Sequence, residues 1–233
     1  MAGASFNPQD FIALIEQQGY VVNWYPAIVC ECFKNNQPDI HCELCVGSGY
    51  RYLPCRQIKA ITSSLSGGME LKVQGLQEPG SAYITPQIGN IMGYRDRIEF
   101  PEIECKYSQV LDVRGKKTTS TYRPIRRVNF VLSGNTVYEE NNDFVISDDR
   151  HHLIFKEKPL TKISILYMTT PTYLVVDMAH ELRSSRQNKG TRAAYTVELP
   201  KQYMIKREDF VYGQTINVKK EKIEPIDEVL TYD

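Results

Sequence analysis

The sequence lacks both a long apolar run and an excess of charge of either sign. No stretch of 18 apolar residues occurs in the 233-residue chain, so we expect no membrane-spanning helix. Lys and Arg together number 28, as do Asp and Glu, so total charge does not favour nonspecific binding to nucleic acid. The segment 1–18 carries Asp10 and Glu16 and has no basic start before an apolar core, so we do not expect a signal peptide.

Residue patterns that carry out catalysis are also missing. His180 and Glu181 are not followed by a second histidine at the metalloprotease spacing, and Gly47–Gly49 is too short to cradle a phosphate. The acidic pairs Glu139–Glu140 and Asp148–Asp149 stand on predicted turns, where carboxylates are commonly solvated. We therefore expect that the chain is not an enzyme.

Four of the six cysteines lie within 16 positions and are spaced like metal ligands. Cys30 and Cys32 form a CxC pair and, after nine residues, Cys42 and Cys45 form a CxxC pair. Two thiolate pairs on two turns favour a tetrahedral sulfur site, which zinc prefers, although the same ligands would also take iron. We predict a closed, structural zinc site whose ligands are Cys30, Cys32, Cys42 and Cys45.

Several details of this segment leave alternatives open. The CxC half is tighter than the usual spacing of ligand pairs, His41 could replace one sulfur, and Cys55 is a spare candidate. Four loop cysteines can also be metal-free thiols or redox-active groups. Gly47 and Gly49, just after the CxxC pair, would let the backbone turn sharply and leave amides to bond the sulfurs.

A helix is predicted near the N-terminus. Asn7 is a favoured N-cap, and Pro8 stands at the first helical position. Gly19 can end this helix in the left-handed conformation. The apolar stripe between them consists of Phe11, Ile12, Leu14 and Ile15.

Most of the remaining sequence has the pattern of short β-strands separated by turn residues. Hairpin turns are predicted at Ser133–Asn135 and Ser147–Asp149, and polar loops at 114–121 and 184–192. The predicted strands are GMELKVQG (68–75), SAYITP (81–86), RDRIEF (95–100), CKYSQVLDV (105–113), VNFVL (128–132), DFVIS (143–147), HLIF (152–155), ISILYMT (163–169) and TYLVVDM (172–178).

These patterns predict a mainly β fold: a small β-barrel plus a second β-sandwich-like module, with an N-terminal helix and a zinc-organised loop. We place the helix and the zinc-binding loop in residues 1–56 and the small barrel in 57–115. The second β module is placed in 116–213, and 214–233 is expected to be a C-terminal tail or arm that orders on a partner.

Two basic stretches invite a functional interpretation. Solvated loop charge is one reading of them, and contact with DNA phosphates or with an acidic partner surface is the other. The sequence alone does not choose between these readings. The first stretch contains Arg114, Lys116, Lys117, Arg123, Arg126 and Arg127, and the second contains Arg183, Arg186, Lys189 and Arg192.

The segment CECFKNNQPDIHCELCVGSGYRY (30–52) resembles a segment of the neck proteins of tailed bacteriophages, which form head-to-tail connectors or head-closure rings. GYRDRIEF (93–100) is similar to the turn and strand of their small β-barrel. The segments 122–146 and 162–183 are similar to their second β module, so the resemblance touches most of residues 20–185. The positions that carry it in the first segment are Cys30, Cys32, Pro38, Asp39, Cys42, Cys45, Gly47, Gly49 and Tyr50.

This resemblance implies a structural protein of the virion, assembled in the host cytoplasm, that works by shape as part of a ring between portal and tail. Its implied partners are further copies of itself, portal or adaptor proteins and tail-terminator proteins, with DNA possible in the channel. One alternative is a baseplate or tail-completion protein. Another is a zinc-knuckle nucleic-acid-binding module that uses Tyr50, Tyr52 and the basic stretches, although Glu31, Asp39 and Glu43 would repel phosphate.

Overall fold

A computed structural model describes residues 8–35, 37–64, 80–180, 184–187 and 195–212. Of these residues, 48% lie in strands and 9% in helices, so the fold is mainly β, which confirms the predicted class. In chain order the elements are α1 (Pro8–Gln18), β1 (Tyr20–Tyr25), β2 (Ala27–Val29), β3 (Tyr50–Tyr52), β4 (Arg56–Ser64), β5 (Ser81–Pro86), β6 (Arg97–Glu99), β7 (Cys105–Leu111), β8 (Thr118–Ser120), β9 (Arg127–Ser133), β10 (Thr136–Tyr138), β11 (Phe144–Ile146), β12 (His152–Phe155), β13 (Ile163–Thr169), β14 (Thr172–His180), β15 (Ser184–Gln187), β16 (Tyr195–Glu198), β17 (Gln202–Arg207) and α2 (Glu208–Tyr212).

Six strands close into a barrel in the order β1-β4-β5-β17-β14-β6. Antiparallel pairing joins β1 to β4, β4 to β5 and β5 to β17. Side chains alternate between the two faces of a strand, and this alternation is seen in the buried residues of β1 and β17. The buried apolar side chains contributed by these strands include Val22, Trp24, Ile58, Ala60, Ile84, Ile98, Leu174, Tyr203 and Ile205.

Helix α1 precedes the barrel and buries Ile15. The residue after its end is Gly19, whose amide donates to the carbonyl of Ile15 at 2.9 Å. The expectation of a left-handed Gly19 is wrong, because Gly19 is not among the residues with positive φ. A Cβ at this position would lie 2.4 Å from the Ile15 carbonyl oxygen, so the close approach of this helix carbonyl explains the glycine.

Two further sheets share one core. The first is four-stranded in the order β10-β9-β13-β7, and the second is three-stranded in the order β11-β12-β8. Two sheets packed over a common apolar core form the predicted sandwich-like module. The residues that fill this core include Tyr107, Leu111, Val131, Phe144, Leu153, Phe155, Ile163, Ile165 and Tyr167.

Some polar segments form strands that the sequence pattern did not predict. Residues 118–120 form β8, inside the predicted loop 114–121, and Ser184–Gln187 forms β15, which pairs with β16. The predicted strand 68–75 and the predicted tail 214–233 lie outside the described residues. No helix in the described part of the chain is long and apolar enough to cross a membrane.

The chain divides into two compact units that are not contiguous in sequence. The first holds the described residues up to Ile98 together with Tyr173–Lys206, and the second holds Glu99–Thr172 and the described residues from Arg207 onward. The barrel thus includes β14 and β17, which lie in the range predicted for the second β module, 116–213. Its closure depends on strand pairing over long sequence separations.

Candidate metal centre

The cysteine cluster lies on a loop held by a two-stranded ribbon of the first unit. Strand β2 pairs with β3 in antiparallel register, so that Val29 stands opposite Tyr50. The amide of Cys30 donates to the carbonyl of Gly49 at 2.9 Å and closes the base of the loop. Residues 30–49, which we call the cysteine loop, therefore begin and end side by side.

The four predicted ligands come together within this loop. Their sulfur atoms all lie within 4.8 Å of one another. The Sγ atoms of Cys30 and Cys42 are 3.8 Å apart, and those of Cys32 and Cys45 are 3.5 Å apart. Cys30 and Cys45 are 1% and 3% exposed, and the other two are half-buried. The arrangement is compatible with one metal ion bound by four sulfurs, and the tight CxC spacing does not prevent it.

The two alternative ligands are not part of the cluster. Among the described residues, the potential metal-binding group consists of the four cysteines alone. His41 is exposed, and its backbone amide donates to the Asp39 carboxylate at 2.9 Å. Cys55 is exposed and lies beyond β3.

Glycines shape the loop around the sulfurs. Gly47 and Gly49 both have φ of +78°, a region that residues with a Cβ rarely adopt. The amide of Gly49 donates to Cys45 Sγ at 3.3 Å, as expected for an amide left to bond a sulfur. A Cβ on Gly49 would lie 2.5 Å from a ring carbon of Phe33, so the position is closed to larger residues.

The thiols differ strongly in acidity. Burial raises the pKa of Cys30 to about 12. The pKa of Cys42 is lowered to about 7, chiefly because the backbone amide of Cys45 donates to its sulfur. Burial also raises the pKa of Cys32. At neutral pH a metal ion must therefore displace protons to bind all four sulfurs, as is usual for thiolate sites.

The cysteine loop has almost no apolar core of its own. In its described part, the fully buried residues are Cys30, Cys45 and Gly49. Of its aliphatic residues, Ile40 and Leu44 are 74% and 49% exposed, and Val46 is half-buried. Hydrophobic burial therefore contributes little to the stability of this segment. A metal ion bound by the four sulfurs would cross-link the loop and stabilise it instead.

A buried carboxylate fixes the ribbon to the barrel, and sequence reasoning missed it. Asp96 is 3% exposed and precedes β6. Its carboxylate accepts hydrogen bonds from Trp24 Nε1 and the Ala27 amide, both at 2.7 Å, and from the Gly93 amide at 2.8 Å. Burial raises the pKa of Asp96 above its ordinary value, against the opposing effect of these three donors. Ala27 is the first residue of the ribbon, so Asp96 fixes the start of the ribbon that carries the cysteine loop.

The first basic stretch is largely paired within the second unit. Arg114 forms an ion pair with Asp112 at 2.6 Å, and the mostly buried Arg123 pairs with Glu208. Arg126 and Arg127 both approach Glu104, at 3.9 and 3.3 Å. Lys116 and Lys117 are exposed. Of the second stretch only Arg186 lies in the described residues, on β15.

The hairpin between β11 and β12 forms at the predicted turn. Its apex is organised by Asp149, which accepts from the hydroxyl of Ser147, from the amide of His151 at 2.9 Å and from His152 Nδ1 at 2.8 Å. These contacts lower the pKa of Asp149 to about 2, with the Ser147 hydroxyl contributing most. The carboxylate therefore has a local structural role in the turn.

Comparison of the sequence with protein-family models and with curated proteins finds no match. The chemistry of the site follows from its own residues. Four thiols in one small loop can hold a single soft or borderline metal ion.

Proposed function

We propose that the cysteine loop binds one structural zinc ion and that the chain is a non-enzymatic structural protein of a tailed-phage neck. The observation that carries the zinc assignment is the clustering of four sulfurs within 4.8 Å. A tetrahedral zinc ion with Zn–S distances of about 2.3 Å sets its sulfurs about 3.8 Å apart. The separations of 3.8 Å between the Sγ atoms of Cys30 and Cys42 and of 3.5 Å between those of Cys32 and Cys45 are close to that value.

The proposed site has a structural role because its ligand set is complete. Catalytic zinc sites keep one position for water or substrate, whereas four cysteines occupy every position of a tetrahedron. The loop has little apolar core, so metal binding would supply on the order of 10 kcal/mol to its local folding. Such a site makes the loop rigid without giving it a reaction to perform.

The neck assignment rests on the sequence resemblance of the cysteine loop and the two β modules. A ring component between portal and tail needs rigid modules and surfaces that pair with neighbours. A closed six-stranded barrel, a sandwich-like module and a metal-fixed loop are suited to that task. The proposed partners are further copies of the chain, portal or adaptor proteins and tail-terminator proteins, and the proposed location is the virion.

Metal analysis of the purified chain tests the zinc site. We expect one zinc per chain, lost in the variant C42S/C45S together with the folded structure of the loop. The matched control is Cys55→Ser, because Cys55 is exposed and outside the cluster. A chain without zinc or iron, whose fold and stability survive C42S/C45S unchanged, would refute the assignment.

The neck assignment is tested by electron microscopy of the chain alone and mixed with purified portal complexes. We expect rings, formed either alone or on the portal. A chain that binds zinc, forms no rings and does not bind the portal would remove the neck role while leaving the metal site intact.

A further inference from the structure

The cysteine loop presents an exposed surface that is both apolar and acidic. Ile40 and Leu44 project beside the ligand cysteines, and Asp39 and Glu43 are exposed next to them. Within residues 30–49, three acids stand against one lysine, which leaves two negative charges. A zinc ion held by four thiolates adds two more, because four negative sulfurs outweigh a divalent cation. The zinc-loaded loop thus has a formal charge of −4.

The second unit presents a surface of the opposite character. The amide of Gly115 donates to the carbonyl of Pro159 at 3.2 Å, which brings residues 112–117 and 157–162 together. We call these two segments the basic tip. They contain five Lys or Arg residues and two acids, which leaves a formal charge of +3. At their centre Leu160 is 87% exposed.

The basic tip also offers space for an inserted side chain. An open groove of about 720 Å³ lies between the β9–β10 hairpin and residues 156–161. Tyr138, Pro159 and Leu160 contribute apolar atoms to its lining, and its charged lining residues are Lys156, Lys158, Asp143 and Glu157. A groove with this lining has room for an aliphatic side chain.

We propose that the zinc-loaded cysteine loop of one copy docks on the basic tip of a second copy of this chain. The proposal rests on the zinc site proposed above, since the zinc ion together with its four thiolates accounts for half of the loop's negative charge. Charge complementarity selects the partner. The zinc-loaded cysteine loop has a formal charge of −4 and exposes Ile40 and Leu44, whereas the basic tip has a formal charge of +3 and exposes Leu160. Both surfaces belong to the same chain, so every copy carries both halves of the contact.

The contact is head-to-tail, because it joins two different surfaces. Contacts of this type generate closed rings or open filaments, according to the rotation between successive copies. Nucleic acid is the competing occupant of the basic tip, since exposed lysines also attract phosphate. Nucleic acid would leave the acidic, apolar loop without a role, whereas a second copy uses both surfaces.

Charge reversal on each side tests the contact. The variant D39K/H41K/E43K raises the formal charge of the loaded loop from −4 to +1, and K116E/K117E/K158E lowers that of the basic tip from +3 to −3. Each variant alone sets like charges against each other, so we expect its self-association to weaken at least about tenfold in sedimentation velocity at low salt. Mixing the two variants restores opposite charges at every contact and should restore association.

Matched controls keep the outcome decisive. E102K/D148K reverses two exposed acids outside both surfaces and should associate like the original chain. Zinc content is measured for every variant. If the loss of Asp39 disturbs the turn, H41K/E43K replaces the triple loop variant. It changes the formal charge of the loaded loop from −4 to −1 without reversing its sign, so it should weaken self-association by a smaller factor. One zinc per chain without low-salt self-association, unchanged association in both reversed variants, or no rescue on mixing would each overturn the proposal. So would DNA binding abolished by K116E/K117E/K158E while self-association persists. Absence of zinc would instead refute the metal site itself.

Discussion

Removal of the Asp96 carboxylate should destabilise the barrel unit more than any single surface change. In Asp96→Ala the donors of Trp24, Ala27 and Gly93 lose their acceptor at once. A buried donor left without a partner costs about 1–3 kcal/mol. The Trp24 bond is buried and the other two are partly buried, so we estimate a total loss of roughly 3–5 kcal/mol in the free energy of unfolding.

The isosteric variant Asp96→Asn separates shape from hydrogen bonding. One carboxylate oxygen serves both Trp24 and Gly93, and the other serves Ala27. The amide oxygen of asparagine can accept either the bonds from Trp24 and Gly93 or the bond from Ala27. Its NH₂ group then faces the remaining N–H donor or donors, which it cannot accept. We therefore expect a loss of about 1–3 kcal/mol, smaller than that of the alanine variant.

Urea unfolding measures these losses, and Trp24, the single tryptophan, reports on the barrel by fluorescence. A double-mutant cycle with Trp24→Phe, followed by circular dichroism, isolates the Trp24–Asp96 bond and should give a coupling of about 1–3 kcal/mol. Zinc content should stay at one per chain, because the bonds at the base of the cysteine loop do not involve Asp96. A loss below about 1 kcal/mol in Asp96→Ala would refute this reasoning.

The pH dependence of stability provides a second readout of Asp96. Its pKa in the folded state lies above the ordinary value of 3.8, so the folded state holds this proton more tightly than the unfolded chain. The contribution of Asp96 to stability therefore falls as pH rises from about 3.8 through the raised pKa. Asp96→Asn should remove this fall, and an unchanged pH profile would contradict the assignment.

Two further predictions concern the cysteine loop and the β11–β12 hairpin. Gly49→Ala places a Cβ against Phe33 at a position with positive φ, so we expect the variant to lose zinc to a chelator more readily. The control is Gly115→Ala, which also has positive φ but open space around it and should leave zinc retention unchanged. Ser147→Ala should raise the pKa of Asp149 from about 2 toward its ordinary value of 3.8 in an NMR titration. In the original chain, the stabilisation from this carboxylate is present above pH 3.8 and is lost as pH falls toward 2. In Ser147→Ala the pKa of Asp149 is higher, so the loss of stability on acidification should be complete at a higher pH than in the original chain.

Local sequence patterns predicted the individual strands better than their arrangement. The segments 81–86 and 163–169 form β5 and β13 with the predicted bounds, and the turn at Ser133–Asn135 joins β9 to β10. Their alternating or continuous apolar residues mark a strand regardless of its partner. The polar strands Thr118–Ser120 and Ser184–Gln187 have no such signal, because pairing with β12 and β16 determines them.

The metal ligands and the carboxylate clamp show the same contrast. Cysteine spacing identified all four residues of the cluster, because two ligand pairs within a short loop have few other arrangements. Asp96 lies in the predicted strand RDRIEF (95–100), and nothing in that segment marks it as a buried acceptor. Its burial depends on the approach of β1 and β2, which the sequence around Asp96 does not encode.

The distribution of charge favours a contact between proteins over one with nucleic acid. A protein that binds DNA through phosphates needs cations that are not neutralised, and each such contact strengthens the salt dependence of binding. Here Arg114, Arg123 and Arg127 of the first basic stretch have carboxylate partners within the chain. Four thiolates around a zinc ion would make the cysteine loop still more acidic. The cysteine loop and the basic tip carry formal charges of opposite sign, and each has exposed aliphatic side chains, a combination that suits pairing between copies of one chain.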